Sequence, residues 1–299
     1  MPRELQFQVL LLPNAPWDEL CRRFQHVEEL GFDLVATADH FVDWRNPSIP
    51  WLEGWTVLAA VARATSRIKI ATYVTQIPFR NPALLARQAL TVDQISNGRL
   101  VVGIGTGLVE DPAYDMIGIP NWNYKERVAR LKEYVEIIDL LLTNETTSYQ
   151  GDYYSIKDAV MTPRPIQRPR PPIAIGALGP VMLKHTARHA DIWNSLSFAE
   201  TFEKQLQETR DRMNLLDEHC AAIGRDPATL RRSYVVLDQS SRDSGGAISY
   251  YASPDAFIDM VGQVVDIGIT EIVLHYPLIE REMPVFEQIA TEIIPKLKQ

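Results

Sequence analysis

The chain has 299 residues, 46% of them hydrophobic and 23% charged, which suffices for one large core and excludes disorder as the main state. Its 30 Lys and Arg stand against 38 Asp and Glu, a formal net charge of −8, and no basic cluster beyond one short Arg/Pro stretch points to a nucleic-acid partner. The first apolar run ends at Pro13, no run approaches about eighteen apolar residues, and Cys21 and Cys220 have no paired spacing. The expectation is a soluble cytoplasmic chain without a membrane span, disulfide framework or metal site.

In chain order, short runs rich in β-branched residues predict strands over 7–12, 34–37, 68–74, 100–104, 172–176, 192–196, 234–237 and 271–275. Helical patterns alternate with them over 18–30, 55–65, 82–96, 124–142, 181–190, 203–223, 254–267 and 283–297. The clearest is 124–142, where Val128, Leu131, Val135, Ile138 and Leu142 form one apolar stripe. Asn81-Pro82 and Ser253-Pro254 pair a capping residue with a first-turn proline, and Gly31 and Gly98 end two helices.

Strict alternation of this kind predicts an α/β fold: a single (β/α)8 TIM barrel, one domain over 1–299. Two stretches exceed the minimal repeat. The insertion after the fourth helix, 143–171, is polar, aromatic and proline-rich, with a hairpin expected at Gly151-Asp152. The insertion after the seventh strand, 238–252, reads as a mobile loop.

Barrel chemistry gathers at the carboxyl ends of the strands. Asp39-His40 follow the second strand, with Trp44, Trp51 and Trp55 close behind. A histidine there suits general acid–base work near neutral pH, and the indoles suit an apolar planar ligand. After the third strand stand Tyr73, Val74, Thr75 and Gln76. After the fourth, Gly103, Gly105 and Gly107 alternate, with Thr106 between, where backbone can approach a ligand closely. The spacing is not that of the dinucleotide fingerprint. Gly176-Ala177-Leu178-Gly179 leads into a helix and makes a phosphate cradle, and Trp193 and Asn194 add an indole and an amide. His185 and His189 lack the partners of a metalloprotease motif, and no GxSxG, Walker or CxxC motif occurs. On residues alone, a metal-dependent barrel built on Asp39, His40 and Glu110 stays open, as does a barrel that only carries a flavin.

The run GFDLVATADHF at 31–41, the stretch from 64 to 107 containing RNPALLARQALTVDQISNGRL, RLKEYVEIIDLLL at 130–142 and PPIAIGALGPVMLKHTARHADIWN at 171–194 together resemble the bacterial luciferase-like superfamily. The resemblance implies a barrel enzyme, an oxidoreductase that binds coenzyme F420 or FMN at the carboxyl end and forms a homodimer. It implies that Asp39 and His40 lie beside the reactive ring, that Trp44 is an active-site tryptophan, and that Tyr73-Val74 is a cis peptide backing the ring. It further implies that Gly105, Thr106 and Gly107 border the cofactor tail, while the loop from Gly176 to Gly179 binds its phosphate. Chain length and the DHFxxW cluster favour the F420-dependent oxidoreductase branch, with hydride transfer to or from a small-molecule substrate held among Trp44, Trp51, Trp55 and Trp122. His40 would then move the proton, and Asp39 would position the ring or His40. The alternative is an FMN-dependent monooxygenase using oxygen and reduced flavin from a separate reductase. Where several sugar-phosphate dehydrogenases of this family carry a glutamate directly after GTG, Leu108 and Val109 stand here, which argues against a sugar-phosphate substrate.

Overall fold

Eight apolar runs separated by helices have one economical way to bury both faces of every strand, which is to close on themselves inside a ring of helices. A computed structural model, which describes residues 4–242 and 246–299, shows that closure. The first half of the chain runs β1 (Gln6–Leu10), α1 (Trp17–Glu29), β2 (Leu34–Asp39), α2 (Gly54–Ala64), β3 (Lys69–Gln76), α3 (Pro82–Ser96) and β4 (Leu100–Gly105). A short α4 (Ala113–Ile117) and the long α5 (Tyr124–Thr143) follow, then β5 (Thr146–Gln150) and β6 (Ser155–Val160). The second half is β7 (Ile173–Gly176), α6 (Pro180–His189), β8 (Ile192–Ser195), α7 (Phe202–Ala222), β9 (Arg231–Val235), α8 (Pro254–Asp266), β10 (Glu271–His275), α9 (Met283–Gln288) and α10 (Ile294–Leu297).

The barrel order is β1-β10-β9-β8-β7-β4-β3-β2, all neighbours parallel, with β1 closing on β10 through pairs such as Phe7 with Ile272. Side chains alternate across each strand. Leu34, Ala36, Ala71, Val101, Ala174, Ile192, Val235 and Val273 fill the inside, while Phe7, Val9, Val35, Ile70, Ile175, Trp193, Tyr234 and Leu274 pack outward against the helices. The α5 stripe belongs to that outer shell, with Leu131, Val135, Ile138 and Leu142 all buried. Truncating one such leucine to alanine costs about 2–5 kcal/mol.

The capping signals hold. Asn81 accepts from the Ala83 amide at 2.8 Å, Ser253 from the Ala256 amide at 3.1 Å, and Gly31 and Gly98 take the left-handed conformation that favours glycine. The hairpin expected at Gly151-Asp152 is β5–β6, outside the barrel. Its turn is fixed by Glu133, whose carboxylate accepts from the amides of Asp152, Tyr153 and Tyr154.

Three expectations change. The seventh barrel strand starts at Arg231 rather than at Tyr234, because Arg231 pairs with Glu271 and donates to Gln6 at 3.1 Å, so its polar opening carries no apolar signal. The last helix is not continuous: a π turn at Ile289–Ile293 separates α9 from α10. Pro295 lies just beyond, and a proline cannot donate to the preceding turn and crowds its carbonyl, so the helix widens there. The segment expected to be a mobile loop carries buried Ile248, Tyr250 and Tyr251. The two tyrosine hydroxyls hold the amide and carbonyl of His275 at 3.0 and 2.8 Å, while positions 243–245 lie outside the described residues.

Candidate active site

His40 follows the last residue of β2, at the carboxyl rim. Its Nδ1 lies 2.8 Å from Asp111 Oδ2 and 2.8 Å from Gln76 Nε2. The imidazole is 17% exposed and the Asp111 carboxylate fully buried, so the pair joins the mouth to the wall behind it. Gln76 ends β3. It donates to the Asp39 carbonyl at 3.2 Å and to Asp111 Oδ2 at 3.1 Å, and accepts from the Tyr114 hydroxyl at 2.9 Å and the Leu108 amide at 3.4 Å. Behind Tyr114, fully buried Arg127 of α5 donates to that hydroxyl at 2.9 Å and to the Thr106 carbonyl at 2.8 Å. Asp111 Oδ1 accepts from the Ala113 amide at 2.9 Å. Burial opposes charge on Asp111, but the bonds from His40, Ala113 and Gln76 outweigh it and hold the carboxyl below its ordinary range. Among the described residues no hydrogen bond reaches His40 Nε2.

Asp39 does not touch the imidazole, so of its two expected roles the direct contact with His40 is absent. Its carboxylate is turned to Arg80, which it meets through both oxygens, and Arg80 also reaches Glu53 at 3.1 Å. Glu53 in turn caps α2 by accepting from the Trp55 and Thr56 amides. Through Arg80 the Asp39 carboxylate links the end of β2 to the connection between β3 and α3 and to the start of α2, and the place beside His40 is taken by Asp111. Of the tryptophans, Trp51 stands edge-on to His40 with ring centres 6.0 Å apart and donates to the His40 carbonyl at 2.9 Å. Trp44 is half-buried beneath the Arg45 guanidinium at 4.2 Å. Trp55 is buried in the outer shell and does not wall the mouth, and Trp122, half-buried against that shell, lies under Arg130 at 4.1 Å.

The rim continues through β3, β4 and β7, which are consecutive neighbours. The Tyr73–Val74 peptide is cis, as the resemblance implied. Tyr73 points down into the barrel, donating to Gln8 at 2.8 Å, and burial pushes its hydroxyl pKa well up. Thr75 also leaves the mouth: its hydroxyl accepts from the Trp55 indole at 3.0 Å in the outer shell. Val74 stays at the rim, and the alternate glycines make room for this stretch of β3 rather than for a ligand alone. A Cβ on Gly103 would meet the Thr72 carbonyl oxygen at 1.8 Å, and one on Gly105 the Val74 Cγ2 at 2.4 Å. Gly107 is left-handed, and a Cβ there would meet Gln76 Oε1 at 2.4 Å. Thr106 contributes its carbonyl to Arg127 and keeps a half-buried side chain.

Beyond Gly176, whose Cβ would stand 3.2 Å from Val74, the cradle is narrower than expected. The Ala177 amide is spent on the Asn194 carbonyl at 3.2 Å, and its carbonyl accepts from Trp193 at 2.9 Å. Trp193 is fully buried in the outer shell and cannot reach a ligand in the mouth, because its position on β8 points outward while Ile192 and Asn194 point in. The amides of Leu178 and Gly179 take no partner among the described residues, and no side chain caps α6. The start of α6 thus carries free amides, the kind of helix start that can take an anion.

Asp111, Gln76, Tyr114 and Arg127 are not legible as a network in the sequence, because they are 71, 36, 38 and 13 residues from their partners. Asp111 had one available signal, its place in the same post-strand loop as Gly107. His275, at the carboxyl end of β10, carries no motif that singles it out. It shares the inward face of β10 with Glu271 and Val273, and its Nε2 is buried without a partner among the described residues. The alternative metal set is not assembled: Asp39 is held by Arg80, and Glu110 lies in an exposed turn 3.5 Å from the Tyr124 hydroxyl.

A family model described as luciferase-like monooxygenase matches residues 5–271. Among curated relatives, an F420-dependent glucose-6-phosphate dehydrogenase of Intrasporangium calvum is 29% identical, over 94% of this chain and 95% of the relative. A protein of the same name from Amycolatopsis mediterranei is 39% identical over 55% of this chain and 49% of the relative. The solved coenzyme F420-dependent tetrahydromethanopterin reductase of Methanopyrus kandleri has a TM-score of 0.80 over 99% of this chain and 100% of that chain. At 21% identity that likeness shows the shared barrel fold.

Proposed function

The chain belongs to the luciferase-like monooxygenase family, and we propose that it is an oxidoreductase transferring a hydride between coenzyme F420 and a small organic alcohol or carbonyl compound. One observation carries this reading. His40, Val74, the Gly105–Gly107 turn and the Leu178–Gly179 amides follow one another on four neighbouring barrel strands. They form a continuous arc from an imidazole, across an apolar floor, to an anion-binding helix start. The residues fit a flat ring with a phosphorylated tail. Gly105 and Gly176 leave the Val74 methyls uncovered, since a side chain at either position would lie against them, and the free amides suit a phosphate.

When bound, the deazaflavin supplies the ring carbon that accepts or releases the hydride. The chain's part is to hold and to move a proton. As the substrate carbon loses hydride, its hydroxyl proton passes to His40 Nε2, leaving the carbonyl product; in reverse the imidazolium returns it. Trp51, edge-on to the imidazole, and Trp44 wall the substrate and exclude water. Val74, Gly105, Thr106 and Gly107 border the ring and tail, and Leu178 and Gly179 bind the phosphate. Asp39 acts on the site through its ion pair with Arg80 and its carbonyl bond to Gln76.

The family description, a monooxygenase, supports oxygenation as a second reading, for which FMN and a separate reductase would be the cofactor and partner. A homodimer through the outer faces of α2 and α3, as one catalytic domain in the cytoplasm, completes the proposal. No described helix is long and apolar enough to cross a membrane. Titrating the apoprotein separately with F420 and FMN, and following each cofactor's fluorescence, tests it. Tight quenching of F420 with weak response from FMN is expected; tight FMN binding without F420 binding overturns the F420 assignment.

A further inference from the structure

The direction of each hydrogen bond behind His40 can be worked out, and it determines which imidazole nitrogen does chemistry. Arg127 has only donors, so at the Tyr114 oxygen it occupies a lone pair. The Tyr114 proton therefore goes to Gln76, which must present its oxygen on that side, where the Leu108 amide also points at it. Turning the amide around would set Gln76 Oε1 against the Asp39 carbonyl and the Asp111 carboxylate, and would leave the Leu108 amide facing an NH2 group. The Gln76 NH2 group thus faces His40 Nδ1, and it cannot accept.

Two arrangements remain. If Nδ1 is bare, it takes a proton from Gln76, but its lone pair then stands 2.8 Å from a carboxylate oxygen. If Nδ1 carries the proton, it donates to Asp111 Oδ2, and the two Gln76 protons go to Asp39 O and Asp111 Oδ2 at 3.2 and 3.1 Å. The second leaves two donors, Nδ1 and Gln76 Nε2, in contact at 2.8 Å, but it alone aims every proton at an oxygen and keeps a lone pair from facing the buried carboxylate. Asp111 then accepts at both oxygens, from His40, Gln76 and the Ala113 amide. The fully buried carboxylate has no solvent to replace a lost donor.

We infer that Asp111 is the positioning residue of the site: with Gln76 locked by Tyr114 and Arg127, it keeps neutral His40 as the Nδ1–H tautomer and leaves Nε2 bare toward the mouth. This rests on the proposed hydride-transfer role for its consequence in turnover, but the tautomer itself does not depend on any cofactor. Asp111 also stabilises the imidazolium formed when Nε2 takes the substrate proton, since the new positive charge lies beside a buried negative one. The carboxylate remains ionised throughout, in keeping with the downward displacement of its pKa. The sequence signal is modest: an aspartate in the loop after β4, meeting a histidine after β2 across the end of β3.

The test uses the apoprotein with 15N-labelled histidine and long-range proton–nitrogen spectra, His40 being assigned by the signals lost in His40→Gln. With the imidazole neutral, the wild type should show a protonated Nδ1 and a bare Nε2. Asp111→Asn keeps the size but turns an NH2 toward Nδ1, so its population should move to the Nε2–H form; Asp111→Glu should restore the wild-type pattern at least in part. Turnover of F420 with propan-2-ol and with glucose 6-phosphate, whichever the wild type uses, should fall by about 10²–10⁴ in kcat for Asp111→Asn, with KM and F420 affinity little changed. A wild-type His40 protonated at Nε2, or a tautomer indifferent to Asp111→Asn, overturns the assignment. So does a kcat unmoved when the tautomer flips. Failure of F420 to bind would defeat the proposed function and leave the tautomer result standing.

Discussion

At the scale of single residues, position in sequence locates His40 better than it locates the groups that govern it. The strand-end rule finds the histidine, because β2 ends one residue earlier. It fails for Asp39, whose adjacency to His40 suggests a partnership that side-chain direction forbids: the carboxylate faces Arg80. Asp111 and Gln76 come from other loops and strands, and no local pattern links them to the imidazole. If His40 moves the proton, His40→Ala and His40→Asn should each lower turnover by about a hundredfold or more while F420 affinity and the thermal midpoint hold. Steady-state kinetics beside a cofactor titration checks this, and near wild-type turnover with intact binding would remove His40 from the proton path.

At the scale of elements, β4 shows how a motif can be seen and its reason misjudged. Three alternate glycines read as space for a ligand, yet the nearest obstruction to a side chain on Gly103 is the backbone of β3, at 1.8 Å from the Thr72 carbonyl oxygen. The register of β3 with β4 shifts between Ala71 and Thr75, where β3 crowds its neighbour, and glycine is what lets the two strands stay paired. Nothing in the order of residues announces that crowding. Gly179, in the loop before α6, is the contrasting case, since a Cβ there would meet no described atom within 4 Å. Gly103→Ala should therefore destabilise the protein by more than about 4 kcal/mol or abolish soluble expression, whereas Gly179→Ala should stay within about 0.5 kcal/mol of wild type. Urea-unfolding midpoints decide it, and similar midpoints for the two variants would contradict the packing account. The outward turn of Trp193 follows from the same alternation along β8, and could have been deduced once Ile192 was assigned to the interior.

At the scale of the whole molecule, the barrel was legible because parallel strands covered on both faces write themselves as apolar runs, and eight of them fell between helical patterns. Less legible were the polar start of β9, the π turn before Pro295, and the anchoring of 246–252, each governed by partners distant in sequence. That anchoring has a consequence for global stability. Burial pushes the His275 imidazole down to about 4, against a smaller upward pull from Asp238. Its native form is neutral, so its contribution is whole above pH 6.5 and is lost as pH falls toward about 4, because the unfolded chain takes up a proton that the native state refuses. The slope from this group approaches about 1.4 kcal/mol per pH unit within that window. His185 and His189 on α6, also pushed down mainly by burial, act in the same direction. Unfolding midpoints between about pH 7 and about pH 4 should fall less steeply for His275→Gln than for wild type; parallel curves would contradict a buried neutral imidazole.

The arc along the rim from His40 to α6 unites these scales, and a crystal structure of the F420 complex tests it most directly. The ring should lie over Val74, between Gly105 and Gly176, with its reactive edge toward His40 Nε2 and its phosphate on the amides of Leu178 and Gly179. A ring bound elsewhere, or an imidazole whose Nε2 turns from it into the barrel wall, would contradict the account.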